Sequence, residues 1–170
     1  MKQQIIVSGL GGQGAVTLSR LLAEAALALG LPVLTSETHG MAQRGGTVIS
    51  MIKAGPFRGP LILAGTADLG LFLTEKNLPV HRHYLKPGGT LVVNCAIPGD
   101  YLGVDALALA AGLGLPPVTA NLILLGFAAG KGALFCPAGL LEEIIREKSP
   151  PRFREGNLQA FQAGRKTAES

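Results

Sequence analysis

The chain begins with a short apolar run, a glycine-rich turn and an amphipathic segment. Residues 5–8 are strand-forming, and residues 9–14 read Gly-Leu-Gly-Gly-Gln-Gly. From Ala15 to Leu29, apolar side chains recur at helical spacing, and Gly30 is typical of the residue that follows a helix. The pattern therefore predicts a strand, a glycine turn, a helix and a second strand over residues 5–36.

Further apolar runs predict that strands and helices continue to alternate. Strands are predicted at residues 47–53, 61–63, 68–74 and 90–94, with a helix at 77–85 and a turn at 86–89. Helices are predicted at residues 104–113, 120–130, 137–148 and 153–166, with Thr119 as a cap for the second of these. The alternation favours a Rossmann-like α/β fold, with a largely parallel sheet covered by helices and a helical C-terminal part.

Length and composition add limits on the kind of protein. The 170 residues form one domain, 1–170, of which 48% are apolar and 15% charged. A surface this short of charge suggests that partner chains cover part of it. The net charge is +4, but the basic residues are scattered and no nucleic-acid motif is recognisable, so we expect no nucleic-acid partner.

Neither the cysteines nor the histidines predict a metal site. The two cysteines, Cys95 and Cys136, cannot supply the ligands of an iron–sulfur cluster. His81 and His83 are two residues apart on a predicted helix, where side chains diverge. No signal-peptide pattern or membrane-spanning run is visible, so we expect a cytoplasmic protein without a membrane partner.

The glycine turn also satisfies the G-x-G-x-x-G pattern of dinucleotide sites through Gly9, Gly11 and Gly14. Glu37, after the second predicted strand, stands about where such a site places its ribose-binding acid. The same glycines also serve close packing of a helix on a strand without any ligand. A stand-alone dinucleotide-binding oxidoreductase is therefore one hypothesis.

Residues 37–46 form a polar, glycine-rich stretch at the carboxyl end of the second strand, where open α/β sheets place ligands. Arg44 is a candidate contact for a carboxylate or phosphate; the alternative is that it pairs with Glu37 to hold the loop. Asn121 is a polar residue in the first turn of a helix that is apolar nearly all round, where it caps backbone or contacts a partner.

The candidate ligand-binding or partner-binding residues come from these three places. They are Gly9, Gly11, Gly12, Gln13, Gly14, Glu37, His39, Gln43, Arg44, Gly45, Gly46 and Asn121. No nucleophile with a positioned base is recognisable, so we name no catalytic residue in this chain. The residues alone support either a small nucleotide-binding enzyme or a subunit that works with others.

Several motifs in order resemble those of a known family. The glycine turn, the stretch His-Gly-Met-Ala-Gln-Arg-Gly-Gly at 39–46, Ala67-Asp68-Leu69, Pro87-Gly88-Gly89, Asn121, and the spaced Asn157, Ala160-Phe161 and Gly164 resemble the gamma subunit of 2-oxoacid:ferredoxin oxidoreductases. The resemblance covers essentially the whole chain. In the 39–46 loop it is most similar to the small (beta) subunit of indolepyruvate:ferredoxin oxidoreductase.

The resemblance implies a reaction carried out by a multisubunit complex. A 2-oxoacid and coenzyme A give an acyl-CoA and carbon dioxide, and two electrons pass to ferredoxin. Thiamine diphosphate and [4Fe–4S] clusters would lie on larger partner subunits, and ferredoxin would meet the complex rather than this chain. The resemblance thus implies a non-catalytic subunit of the arylpyruvate type; we also expect that the isolated chain can form a homodimer.

Overall fold

The structure is a computed structural model that describes residues 1–39 and 46–170. Within those residues the chain forms six strands and six helices. The strands are β1 (Gln3–Leu10), β2 (Val33–His39), β3 (Thr47–Ala54), β4 (Ala67–Phe72), β5 (Leu85–Asn94) and β6 (Leu102–Val104). The helices are α1 (Ala15–Ala28), α2 (Leu78–His81), α3 (Ala106–Gly112), α4 (Ala120–Gly130), α5 (Ala138–Lys148) and α6 (Arg154–Ala168).

The six strands form one sheet in the order β2-β3-β1-β4-β5-β6. The pairings β1–β4, β4–β5 and β5–β6 are parallel, whereas β3 is antiparallel to both of its neighbours. The predicted α/β fold with a largely parallel sheet is therefore confirmed. The antiparallel β3 lies between β1 and β2, a placement that the sequence pattern does not predict.

Some predicted elements were wrong, each for a local reason. Residues 61–63 form no strand, because only Ile62 turns inward, where its amide donates to the Met51 Sδ (3.3 Å). Residues 86–89 belong to β5 rather than to a separate turn, and they bulge opposite the single residue Asp68 of β4.

Two details near the C-terminal helices also differ from the prediction. The predicted helix at 104–113 is shorter, because the strand β6 precedes it and includes Val104. Thr119 occupies the N-cap position of α4, as predicted, but its hydroxyl donates to the Pro116 carbonyl oxygen (2.6 Å) instead of accepting from an amide of the helix. The boundaries predicted for α4 itself are confirmed.

The two faces of the sheet are covered differently. Ile5 and Val7 of β1 point into the main core, which is formed with α1 and with α3 to α6. Ile6, between them, points into a smaller core that is closed by Ile62 and by residues around α2. All the longer helices therefore lie on one face, and the N-terminal ends of α1, α3 and α4 help to build the site described below.

Candidate functional site

The glycine turn joins the carboxyl end of β1 to the N-terminus of α1. Gly12 and Gly14 have positive φ angles of 88° and 85°, a conformation that other residues adopt at a cost. A Cβ atom on Gly9 would lie 2.9 Å from the Gln13 Oε1 and 3.0 Å from the Leu73 Cδ1. Gly9, Gly12 and Gly14 thus each have a conformational or packing reason that requires no ligand.

Hydrogen bonds within the turn and from two distant parts of the chain hold the turn in place. The Gln13 Oε1 accepts a hydrogen bond from the Leu10 amide (2.7 Å). The Gly11 amide donates to the Gly46 carbonyl oxygen (2.8 Å), which ties the turn to the residue just before β3. The Asn121 Nδ2 donates to the Gly14 carbonyl oxygen (3.3 Å), which ties it to α4. The structure therefore brings together the glycine turn, Gly46 and Asn121, three of the places that the sequence analysis names separately.

A crevice opens beside the turn at the carboxyl ends of the parallel strands, where α/β sheets bind ligands. Its volume is about 150 Å³, and its lining residues are Gly12, Gln13, Leu73, Asn94, Leu107, Pro117, Val118, Ala120 and Asn121. A second hollow of about 300 Å³ lies on the other side of the turn, against Val16 and Val48. The glycine turn thus forms a ridge between two concave surfaces.

The N-terminus of α1 supplies backbone donors at this ridge. The first intrahelical bond runs from the Leu18 amide to the Gly14 carbonyl oxygen (3.3 Å), so the amides of residues 15–17 precede the helical ladder. The N-cap residue is Gly14, which has no side chain to accept hydrogen bonds from these amides. A helix N-terminus of this kind favours an anion such as a phosphate or carboxylate.

A buried polar cluster lies under the turn, and sequence reasoning missed it. The Ser8 Oγ and the His81 Nδ1 are 2.7 Å apart. The Asn77 Nδ2 donates to the Ser8 Oγ (3.0 Å) and to the Gly9 carbonyl oxygen (2.9 Å). Ser8 is fully buried, so its hydroxyl supports the strand end and is not an accessible nucleophile. The signal in the sequence is the serine at the end of an otherwise apolar strand.

Burial lowers the pKa of His81, and repulsion from His83 lowers it further. Elsewhere, the hydrogen bond from Arg82 lowers the pKa of the exposed Asp100 carboxyl group. Burial raises the pKa of the Cys136 thiol to about 11. None of these three groups lines the crevice or the hollow beside the turn.

The position of Glu37 argues against the dinucleotide hypothesis. In the dinucleotide-binding fold the second strand lies next to the first, and its acidic residue reaches the ribose. Here Glu37 of β2 pairs with Ser50 of β3, which in turn pairs with Val7 of β1. Two strand spacings, about 10 Å, therefore separate Glu37 from β1.

Part of the polar stretch at 37–46 lies outside the described residues. Gln43, Arg44 and Gly45 fall there, so their predicted roles stay predictions. The backbone of His39 ends β2, and only its backbone is described. Glu37 is exposed on β2, the edge strand of the sheet.

The described residues contain neither a cluster of metal ligands nor a membrane-spanning helix. Across residues 1–39 and 46–170, no three His, Cys, Asp or Glu side chains are grouped so that they could bind a metal ion. In the same part of the chain, no helix is both long enough and apolar enough to cross a membrane.

A comparison with protein families decides the assignment. Residues 4–167 match the family model described as pyruvate ferredoxin/flavodoxin oxidoreductase. The chain belongs to the pyruvate ferredoxin/flavodoxin oxidoreductase family. The match spans nearly the whole chain and includes the glycine turn, β3 and Asn121.

Individual relatives place the chain more closely within the pyruvate ferredoxin/flavodoxin oxidoreductase family. It is 31% identical to the indolepyruvate oxidoreductase subunit IorB of Pyrococcus horikoshii, over 97% of this chain and 95% of that protein. It is 43% identical to the IorB subunit of Archaeoglobus fulgidus, over 55% of this chain and 47% of that protein. The fold matches the gamma subunit of a keto/oxoacid ferredoxin oxidoreductase from Geobacter sulfurreducens, with a TM-score of 0.79 and 27% identity over 98% of each chain.

Proposed function

We propose that this chain is the small, non-catalytic subunit of a 2-oxoacid:ferredoxin oxidoreductase of the arylpyruvate (indolepyruvate) type, working in the cytoplasm. The complex converts a 2-oxoacid and coenzyme A into an acyl-CoA and carbon dioxide and reduces ferredoxin. The observation that carries the proposal is the nearly full-length similarity to an IorB subunit, 31% identical over 97% of this chain.

The chemistry of the reaction belongs to larger partner subunits in this proposal. Thiamine diphosphate there would stabilise the carbanion left by decarboxylation, and [4Fe–4S] clusters would carry its electrons to ferredoxin. A [4Fe–4S] cluster takes four thiolates, whereas this chain has two cysteines. Of these, Cys136 is buried in the main core, so the residues of this chain do not fit the cluster.

The glycine turn and residues 37–46 would face the partner subunit at the entrance for coenzyme A or substrate. Two features support this placement: the crevice beside the turn, and the amides at the start of α1, which suit a phosphate or carboxylate. Arg44 would add a charge-assisted contact to the same anion. The chain's own part would then be to bind and orient, with no proton or electron transferred on it.

Purification of the tagged chain from its native cytoplasm tests the proposal. We expect a larger subunit that contains iron–sulfur clusters and thiamine diphosphate to co-purify in a fixed ratio. The alternative, a dinucleotide-binding enzyme, predicts a chain that elutes alone and is stabilised by NAD(P), by about 2.7 kcal/mol at ~100 times the dissociation constant. A chain that elutes alone under conditions that preserve complexes would contradict the proposal.

Replacing Arg44 with Ala tests the anion contact within the complex. Loss of a charge-assisted hydrogen bond of about 1.5–3 kcal/mol should weaken assembly or raise the apparent KM for coenzyme A or the 2-oxoacid by roughly 10-fold to 150-fold. The matched control is Arg146→Ala, which removes an exposed arginine of α5. If assembly and kinetics are unchanged in both variants, Arg44 does not contact the anion.

A further inference from the structure

A groove runs along the helical side of the molecule, away from the glycine turn. It consists of two adjoining cavities of about 370 and 560 Å³, and both are lined by Thr17, Leu122, Pro150 and Asn157. Thr17 belongs to α1 and Leu122 to α4, whereas residues 150 and 157 border the start of α6. We call this feature the α1–α6 groove.

The α1–α6 groove is basic. Arg20 and Lys148 line its smaller cavity, and Arg152 lines the larger one. Among the described residues that line either cavity, none is acidic. The Lys148 Nζ is 4.0 Å from the Glu24 carboxylate, but both side chains are about half exposed, so this ion pair is weak. The positive charge of the groove is therefore largely uncompensated.

The larger cavity also exposes apolar side chains. Phe153 is 46% exposed, and Val118 is 48% exposed. The Arg152 guanidinium carbon lies 4.6 Å from the centroid of the Phe153 ring. An exposed aromatic side chain next to an arginine is a combination that is enriched at the energetic centres of protein–protein interfaces.

The groove continues the crevice beside the glycine turn. The larger cavity and that crevice are both lined by Val118 and Asn121. A partner subunit that covers the glycine turn, as the proposed function requires, would therefore also contact the edge of the groove at Val118 and Asn121.

We infer that the α1–α6 groove binds an acidic segment of the larger subunit that carries one or two apolar side chains. Its carboxylates would meet Arg20, Lys148 and Arg152, and its apolar side chains would pack against Phe153 and Val118. A polypeptide fits better than a small molecule, because the cations are exposed and are divided between two cavities instead of converging on one point. The inference rests on the proposed function, since it needs the larger subunit.

Association kinetics of the full-length chain with the purified larger subunit test the inference. The triple variant R20E/K148E/R152E should lower kon about 10-fold or more at ~0.05 M salt and much less at ~0.5 M salt, because steering by exposed charges is screened. The variant R20Q/K148Q/R152Q, which only neutralises the three charges, should have a kon between that of the triple Glu variant and that of the wild type. F153A should raise koff at both salt concentrations.

The control is the triple variant K131E/R146E/K166E, which changes the net charge by the same amount at exposed residues outside the groove. The inference is overturned if the wild type binds and the groove variants behave like this control. It is also overturned if they bind normally but dissociate a homodimer of the isolated chain, which would make the groove a self-association surface. A wild-type chain that does not bind at all refutes the proposed function itself.

Discussion

At the scale of single residues, the pair formed by Ser8 and His81 is the most consequential feature that the sequence hides. The two side chains are 73 positions apart, yet the Ser8 Oγ and the His81 Nδ1 are 2.7 Å apart beneath the end of β1. Asn77 donates to the same serine oxygen, so the serine proton is available to the imidazole. A neutral histidine therefore suits this site.

We expect His81 to make stability fall at acidic pH. Its pKa is lowered in the folded chain, mainly by burial, so the unfolded chain binds the proton more readily. Stability should therefore decrease as the pH drops below about 6.5 and level off once the folded chain is protonated too.

Urea unfolding at pH 7.5 and at lower pH, compared with His81→Leu, measures this effect. The variant should lose about 1–3 kcal/mol at neutral pH, because Ser8 loses a buried partner, and its stability should depend less on pH. His83→Gln, at an exposed neighbour, should keep most of the dependence. If the free energy of unfolding depends on pH equally in the wild type and in His81→Leu, His81 is not the source of the pH dependence.

Gly14 and Asn121 provide a second test at this scale. A Cβ on Gly14 would overlap the Asn121 Nδ2, and its φ of 85° is unfavourable for alanine. Gly14→Ala should therefore destabilise the chain more than Gly12→Ala, because Gly12 has a similar φ of 88° but open space around it. The shared conformational cost is about 1–2 kcal/mol.

A thermal-melting cycle that includes Asn121→Ala separates the two costs of Gly14→Ala. Removing the amide should relieve the overlap, so the double variant should lose less stability than the sum of the single variants. Strict additivity would mean that the contact between α4 and the glycine turn does not constrain the turn.

At the scale of elements, α4 and α6 cross with their backbones in close contact. A Cβ on Gly164 would overlap the Ile123 carbonyl oxygen, and one on Gly126 would overlap the Phe161 carbonyl oxygen. Small residues thus allow an approach that larger side chains would block. This crossing fixes α4, whose first turn carries Asn121.

Gly164→Ala should therefore cost about 3 kcal/mol, the upper end of the usual range for overpacking, although alanine is the better helix former. Gly139→Ala is the matched control, because this glycine lies in α5 with open space around it and should gain up to about 1 kcal/mol. Chemical unfolding of both variants measures the difference. If the two variants change the free energy of unfolding by the same amount and in the same direction, the close crossing of α4 and α6 is contradicted.

Predictability from the sequence also differs between elements. The helices α1 and α4 were predicted to within one residue, because an apolar pattern is bounded by glycine or proline residues there. The strand β6 was missed, because three residues carry no periodicity. Lys86 to Gly89 have turn chemistry but form a bulge within β5, a distinction that depends on pairing with β4.

At the scale of the whole molecule, the order of the strands in the sheet could not be predicted from the sequence. The motif after β1 suggests a dinucleotide fold, but the antiparallel β3 separates β1 from β2 and moves Glu37 away. Strand order depends on long-range pairing, which a local pattern does not encode. The sequence names the glycine turn, Gly46 and Asn121 as separate candidates, and their proximity, like the strand order, appears only in the folded chain.

The measurement that tests the account most directly is viologen reduction by the complex purified with this chain. With coenzyme A present, we expect indolepyruvate or another arylpyruvate to support reduction better than pyruvate or 2-oxoglutarate, and we expect activity to be lost when this chain is removed and regained when it is added back. A complex that prefers 2-oxoglutarate would contradict the arylpyruvate assignment. Activity that does not depend on this chain would contradict its role as a required subunit.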